Sequence, residues 1–170
     1  MTRSKKRIFT AMMLSVPVVL LLALEGVLRL AGVFEREPLF RTIWHKGEQV
    51  RQINQHVARR YFDPVQVTVP GAMPERFAIE KSANTYRILC LGGSTTAGFP
   101  FDGHVPFPQQ LRFLLRQTDP QTRFEVLNLG ISAVNSFTFV DLLPELFDMQ
   151  PDAVLIYMGH NEFYGEFGSA

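Results

Sequence analysis

Ser94 follows two glycines in GGSTTAG at 92–98, Gly130 closes NLG at 128–130, and Asn161 lies in GHNE at 159–162. A hydroxyl, a glycine amide and a neutral carboxamide are the parts of a serine nucleophile with an oxyanion hole. The two glycines before Ser94 permit a tight turn and a close approach of substrate to the backbone. Gly130 is expected to point its N–H at a developing oxyanion, because no side chain covers it. Asn161 is expected to add a second donor through its amide NH2 without bringing charge. Acyl transfer through serine needs no cofactor, and none is implied.

Other chemistries fit these residues poorly. The glycines at 92, 93 and 98 do not make G-x-G-x-x-G, and no Lys-Ser/Thr follows to complete a phosphate loop. His160 and Glu162 are two residues apart without a third partner, which is a poor metal site. His45 and His56 stand far in sequence from other ligand-type residues and read as solvated histidines. Cys90 is the only cysteine, so neither an internal disulfide nor a cysteine-based zinc site is available. Phe99, Phe101, Phe107, Phe163, Tyr164 and Phe167 either wall an apolar acyl or sugar site or serve as core and rim packing.

These residues need elements to hold them. RILCLGG at 87–93, FEVLNLG at 124–130 and AVLIYMG at 153–159 are apolar runs closed by glycine, as expected of buried parallel strands. Between them, Pro108–Gln117 reads as a helix with Leu111, Leu114 and Leu115 on one face. Phe137–Met149 reads as a second helix that Pro144 kinks or breaks. Strand, helix, strand, helix, strand is the order of an α/β parallel sheet with right-handed crossovers. Ligands of such sheets bind at the carboxyl ends of the strands, where Ser94, Gly130 and Asn161 fall.

With the serine, glycine and asparagine blocks in this order at strand ends, residues 86–167 resemble the SGNH (GDSL-like) hydrolase family. GGST is similar to the family's serine block, with Gly93 where the namesake motif has Asp, and NLG and GHNE are similar to its glycine and asparagine blocks. The pattern YRILCLGGSTTAG…FPQQL…FEVLNLGISAVNS…PDAVLIYMGHNEFYG resembles bacterial membrane-anchored members in particular. The resemblance implies a flavodoxin-like fold with Ser94 as nucleophile. Its own N–H would form the oxyanion hole beside Gly130 N–H and the Asn161 side chain. It also implies a histidine base in a D-x-x-H block, and the sequence contains no D-x-x-H. The general base and its Asp are therefore expected outside this chain, which reads as the N-terminal, three-strand part of such a domain and is expected to be inactive on its own.

The first residues point to a membrane. Four of the 17 basic residues fall within the first seven, and Ile8–Leu24 then runs for 17 residues without a charge. That is the lower limit for a transmembrane helix, and the apolar character continues to Phe34. Glu25 and Arg29 are four apart and can pair on one helix face, while Pro17 is tolerated in a span. No small-residue cleavage pattern follows, so 1–7 reads as a cytoplasmic basic tail and 8–34 as an uncleaved signal anchor. The soluble part would then face the periplasm from a bacterial inner membrane. Residues 35–85, punctuated by Pro38, Pro64, Pro70, Gly71 and Pro74, read as a juxtamembrane stalk that packs partly on the following domain. A short helix is expected within Gly47–Arg60 and an edge strand at VQVTV, 65–69. Residues 86–170 form the sheet domain.

Composition narrows the partners. A net charge of +1 excludes a strongly basic nucleic-acid binder, and 46% hydrophobic residues exclude a disordered chain. The expected partners are the membrane, through 8–34, and an ester-bearing polysaccharide, lipid or small molecule. The expected function is an extracytoplasmic serine esterase or acyltransferase. The alternative is a membrane-tethered binding or scaffolding domain that keeps the fold without the chemistry.

Overall fold

The computed structural model describes residues 3–33, 36–101 and 106–163, and the chain divides into two compact units after Arg36. The first unit is one helix, α1 (Arg3–Leu30), with Pro17 inside it. Its stretch Phe9–Leu30 has a mean hydropathy of 2.3 over 22 residues, long and apolar enough to cross a bilayer. The basic residues Lys5 and Lys6 are exposed in the first turns of this helix. Glu25 and Arg29 pair as expected, with Arg29 Nη2 donating to Glu25 Oε1 at 2.7 Å. Phe34, the last residue of the expected anchor, lies outside the described residues.

The second unit begins with an antiparallel sheet that replaces the expected stalk. Strands β1 (Phe40–His45), β2 (Glu48–Ile53) and β3 (Arg76–Ala78) pair in that order. Lys46 and Gly47, with φ of 52° and 86°, make the two-residue hairpin turn between β1 and β2. Two successive positive φ values match the right-handed twist of the flanking strands, and Gly47 takes its place without strain. The helix expected at 47–60 is instead β2 followed by a single 3-10 turn at Val57–Arg60. Residues 65–69 form no strand; Gln66 and Val67 turn back on the Asp63 carbonyl, between Pro64 and Pro70. Leu39, Ile53, Val57, Ala58, Ala72 and Phe77 are buried in one core with Leu89, Leu91, Leu127 and Leu129. A segment with its apolar residues in that core is part of the globular unit, packed more fully than a stalk resting partly on the following domain.

The parallel sheet is ordered β5-β4-β6, from β4 (Thr85–Gly92), β5 (Arg123–Gly130) and β6 (Ala153–Tyr157). Helix α2 (Ser94–Ala97) is one turn at the end of β4, α3 (Phe107–Thr118) joins β4 to β5, and α4 (Ser136–Asp148) joins β5 to β6. Side chains alternate along the strands. Ile88, Cys90 and Val126 therefore meet Phe107, Leu111 and Leu115 of α3, while Leu89, Leu91, Leu127 and Leu129 meet Phe139, Leu142 and Leu146 of α4. The helices thus cover opposite faces. Leu114 lies off the packed face of α3 and is exposed. Pro144 sits inside α4, which continues to Asp148.

Arg87 fastens the two sheets together. Its side chain is 1% exposed and meets Glu125 Oε2 at 2.8 Å, the Ala78 carbonyl at 3.2 Å and the Met149 carbonyl, with its guanidinium 4.9 Å from the Phe77 ring. A buried guanidinium requires this full set of partners, because each unpaired N–H would carry a desolvation cost.

Candidate functional site

Ser94 is the first residue of α2, half-buried, with Gly93 as the extended residue that caps the turn. The chain reverses here from strand to helix in the space left by missing side chains. A Cβ on Gly92 would lie 2.1 Å from Thr96 Oγ1 and 2.2 Å from the Tyr157 carbonyl. Gly98, at φ 97°, ends the turn in the left-handed region. The Ser94 Oγ has no hydrogen bond among the described residues.

Gly130 does a different job from the one its motif suggests. Its N–H donates to Asn128 Oδ1 at 2.9 Å, deep in the core, and so does not face a developing oxyanion. Glycine is needed there because a Cβ would lie 2.2 Å from the Ala97 backbone nitrogen. The residue lets α2 pack onto the end of β5 and thereby sets the position of Ser94.

Asn161 is buried beside the serine turn. Its Nδ2 donates to the Val134 carbonyl at 2.8 Å and would stand 3.0 Å from a Cβ on Gly93. One of its two amide hydrogens is used in that bond, and the other remains for a ligand. The next residue tightens the arrangement: Glu162 accepts from Ser136 N–H at 3.0 Å and from Ser136 Oγ at 2.8 Å. Asn135 caps α4 through its Oδ1, which accepts from Phe137 N–H at 3.1 Å. The loop after β6 is thus latched to the loop after β5. Ala133 lies in this latch, exposed, at φ 64°, and its N–H has no hydrogen-bond partner among the described residues.

No family model, curated protein or solved structure matches this chain.

Ser94, Gly93 and Asn161 are brought together at the carboxyl ends of β4 and β6, where the sequence puts them. The sequence reading missed Val134, Asn135, Glu162 and Ala133. Of these, Asn135 and Ser136 ahead of an apolar helical stretch carried a signal, since Asn and Ser favour helix N-termini. His160 is exposed and sits edge-on to Tyr157 with ring centres 5.4 Å apart, while His104 lies outside the described residues. No group of three or more His, Cys, Asp or Glu side chains suited to a metal occurs among the described residues.

Two open depressions flank the turn. An apolar groove of about 520 Å³ runs along Thr95, Phe107, Leu155, Ile156 and Tyr157. Phe107 and Tyr157 meet edge-to-face there, at 6.3 Å. Phe99, Phe101 and Phe163 project outward, whereas Tyr164 and Phe167 lie outside the described residues. A second cavity of about 660 Å³ reaches from Ala97 and Gly130 to the 64–74 loop. Cys90 serves neither: burial, reinforced by the Glu75 charge, pushes its thiol up to about 11. A thiol held neutral in the core is packing rather than a nucleophile.

Proposed function

We propose that this chain carries the nucleophile and oxyanion site of a membrane-anchored, extracytoplasmic serine hydrolase or acyltransferase of the SGNH type. The supporting observation is the convergence of Ser94 and the buried Asn161 carboxamide across Gly93 at the strand ends. In this reading the Ser94 Oγ attacks an ester carbonyl as its proton leaves to a base. The carbonyl oxygen then gains charge and takes a hydrogen bond from the second amide hydrogen of Asn161. Ser94 N–H supplies another donor. Because Gly130 N–H is bound to Asn128, the remaining backbone donor is assigned to Ala133 N–H in the latched loop. Collapse of the tetrahedral species expels the alcohol and leaves an acyl-serine. Water or an acceptor hydroxyl then removes the acyl group.

The apolar groove along Phe107 and Tyr157 suits the hydrocarbon part of an acyl group. Helix α1 supports a membrane tether, and the basic residues at its start favour a cytoplasmic N-terminus. Turnover of 4-nitrophenyl acetate by the full chain in detergent tests the reading. Ser94→Ala is expected to remove the turnover above the buffer rate. Turnover unchanged by Ser94→Ala contradicts the assignment, and a chain with neither turnover nor fluorophosphonate labelling at Ser94 favours the tethered binding domain.

A further inference from the structure

We propose that the cavity between α2 and the 64–74 loop binds an anionic group of the substrate, a carboxylate or a phosphate, through Arg59. The proposal deepens the hydrolase reading, because it places this subsite next to the serine turn. Ala97, in the cavity wall, is three residues after Ser94 on α2 and therefore on the same helical face. Three residues rise about 4.5 Å along a helix, so a group seated against Ala97 stays within reach of an ester held at Ser94.

The charges in the wall are one-sided. Arg59 and His56 are its ionisable side chains, and no carboxylate lines it. The neighbouring arginines are all occupied: Arg60 by Glu145 and Asp141, Arg51 by Asp148, and Arg112 by Glu75. Arg59 is exposed, and its side chain makes no hydrogen bond or ion pair among the described residues. Its charge acts on Glu37 only at longer range, and that carboxylate is already bonded to Asn54 and Arg41. A guanidinium with free N–H groups presents a planar fork that matches two oxygens of a carboxylate or phosphate. Val67, Val69 and Met73 make the rest of the wall apolar, which strengthens a charged contact at its mouth. The segment is fixed in place by Ala72 N–H, which donates to the Gln55 carbonyl at 3.2 Å. At about 660 Å³ the cavity has the size of a small-molecule site.

The test is binding of glucuronate, glucose 6-phosphate and glucose to full-length Ser94→Ala protein, measured by calorimetry at low salt. Because no turnover is needed, failure of the subsite and failure of Ser94 as nucleophile are separate results. At least one anionic sugar is expected to bind tenfold or more tighter than glucose, and Arg59→Gln is expected to abolish that preference. Binding of glucuronate alone assigns the site to carboxylates, and binding of both anions assigns it to either group. Arg59→Lys, which keeps the charge without the fork, is expected to retain part of the preference. Equal binding of the three sugars, no binding, or a preference that survives Arg59→Gln overturns the proposal.

Discussion

Leu91 and Ile156 stand opposite each other in the register of β4 and β6, yet Leu91 is 3% exposed and Ile156 65%. The next pair repeats the contrast, with Cys90 at 0% and Leu155 at 39%. Two strands of one sheet are therefore held by different forces. β4 is fixed by burial on both faces, and Ser94 at its end inherits that rigidity. β6 carries Asn161 and is secured by its backbone ladder to β4 and by polar contacts at its two ends. At its start Asp152 Oδ2 accepts from Arg87 N–H at 2.6 Å, and at its end Asn161 and Glu162 reach the loop before α4. The nucleophile is set by packing, and its partner is set by hydrogen bonds.

Variants that strike the two halves should separate these contributions. Arg87→Ala is expected to have the largest effect, because it leaves Glu125 buried without its main partner and removes the tie between the sheets. Breaking a buried pair from one side typically costs about 3–5 kcal/mol, to be read from urea denaturation of the protein. Gly130→Ala should follow at about 2–3 kcal/mol, since the new methyl meets the Ala97 backbone rather than a side chain that can swing away. The same substitution should slow any Ser94 chemistry by displacing α2.

Asp152 gives a smaller, pH-dependent effect. Its bond from Lys81, assisted by the Arg87 backbone N–H, holds its carboxyl below the usual carboxylate range. A folded-state pKa below the unfolded value near 3.9 contributes stability above that pH and loses it as pH falls through the folded value. Asp152→Asn should therefore destabilise the protein at pH 7, and the difference from the parent should shrink below about pH 4. Denaturation at pH 7 and pH 3 checks both signs. Ile156→Ser should do least, shifting stability by no more than about 0.5 kcal/mol, because the side chain already faces solvent. A loss as large as that of a buried leucine would erase the contrast between the strands.

The same contrast explains what the sequence made legible. β4, β5, β6 and their helices announce themselves as continuous apolar runs closed by glycine, a local signal that does not depend on partners. The antiparallel sheet gives no such run. FRTIWH and EQVRQI are mostly polar, and their stability comes from isolated residues such as Leu39, Ile53 and Val57 meeting a core assembled from distant parts of the chain. The Lys46–Gly47 turn was the readable clue, as glycine after a polar residue between two short alternating segments favours a hairpin. At the site, residue type located Ser94 and Asn161 but not the fate of the Gly130 N–H. That depends on where the Asn128 side chain folds, two residues earlier, and no motif encodes it.

The most direct test of the account is the rate and position of phosphonylation by a fluorophosphonate, followed by peptide mass spectrometry on the full chain. Labelling is expected at Ser94 alone and slow, since a hydroxyl without a base partner is a weak nucleophile. Ser94→Ala should abolish it. Asn161→Ala should slow it by a factor of about 10²–10³, the usual loss for one oxyanion donor, with the fold intact. Label on another residue, or a rate that Asn161→Ala leaves unchanged, would contradict a nucleophile and oxyanion site shared between β4 and β6.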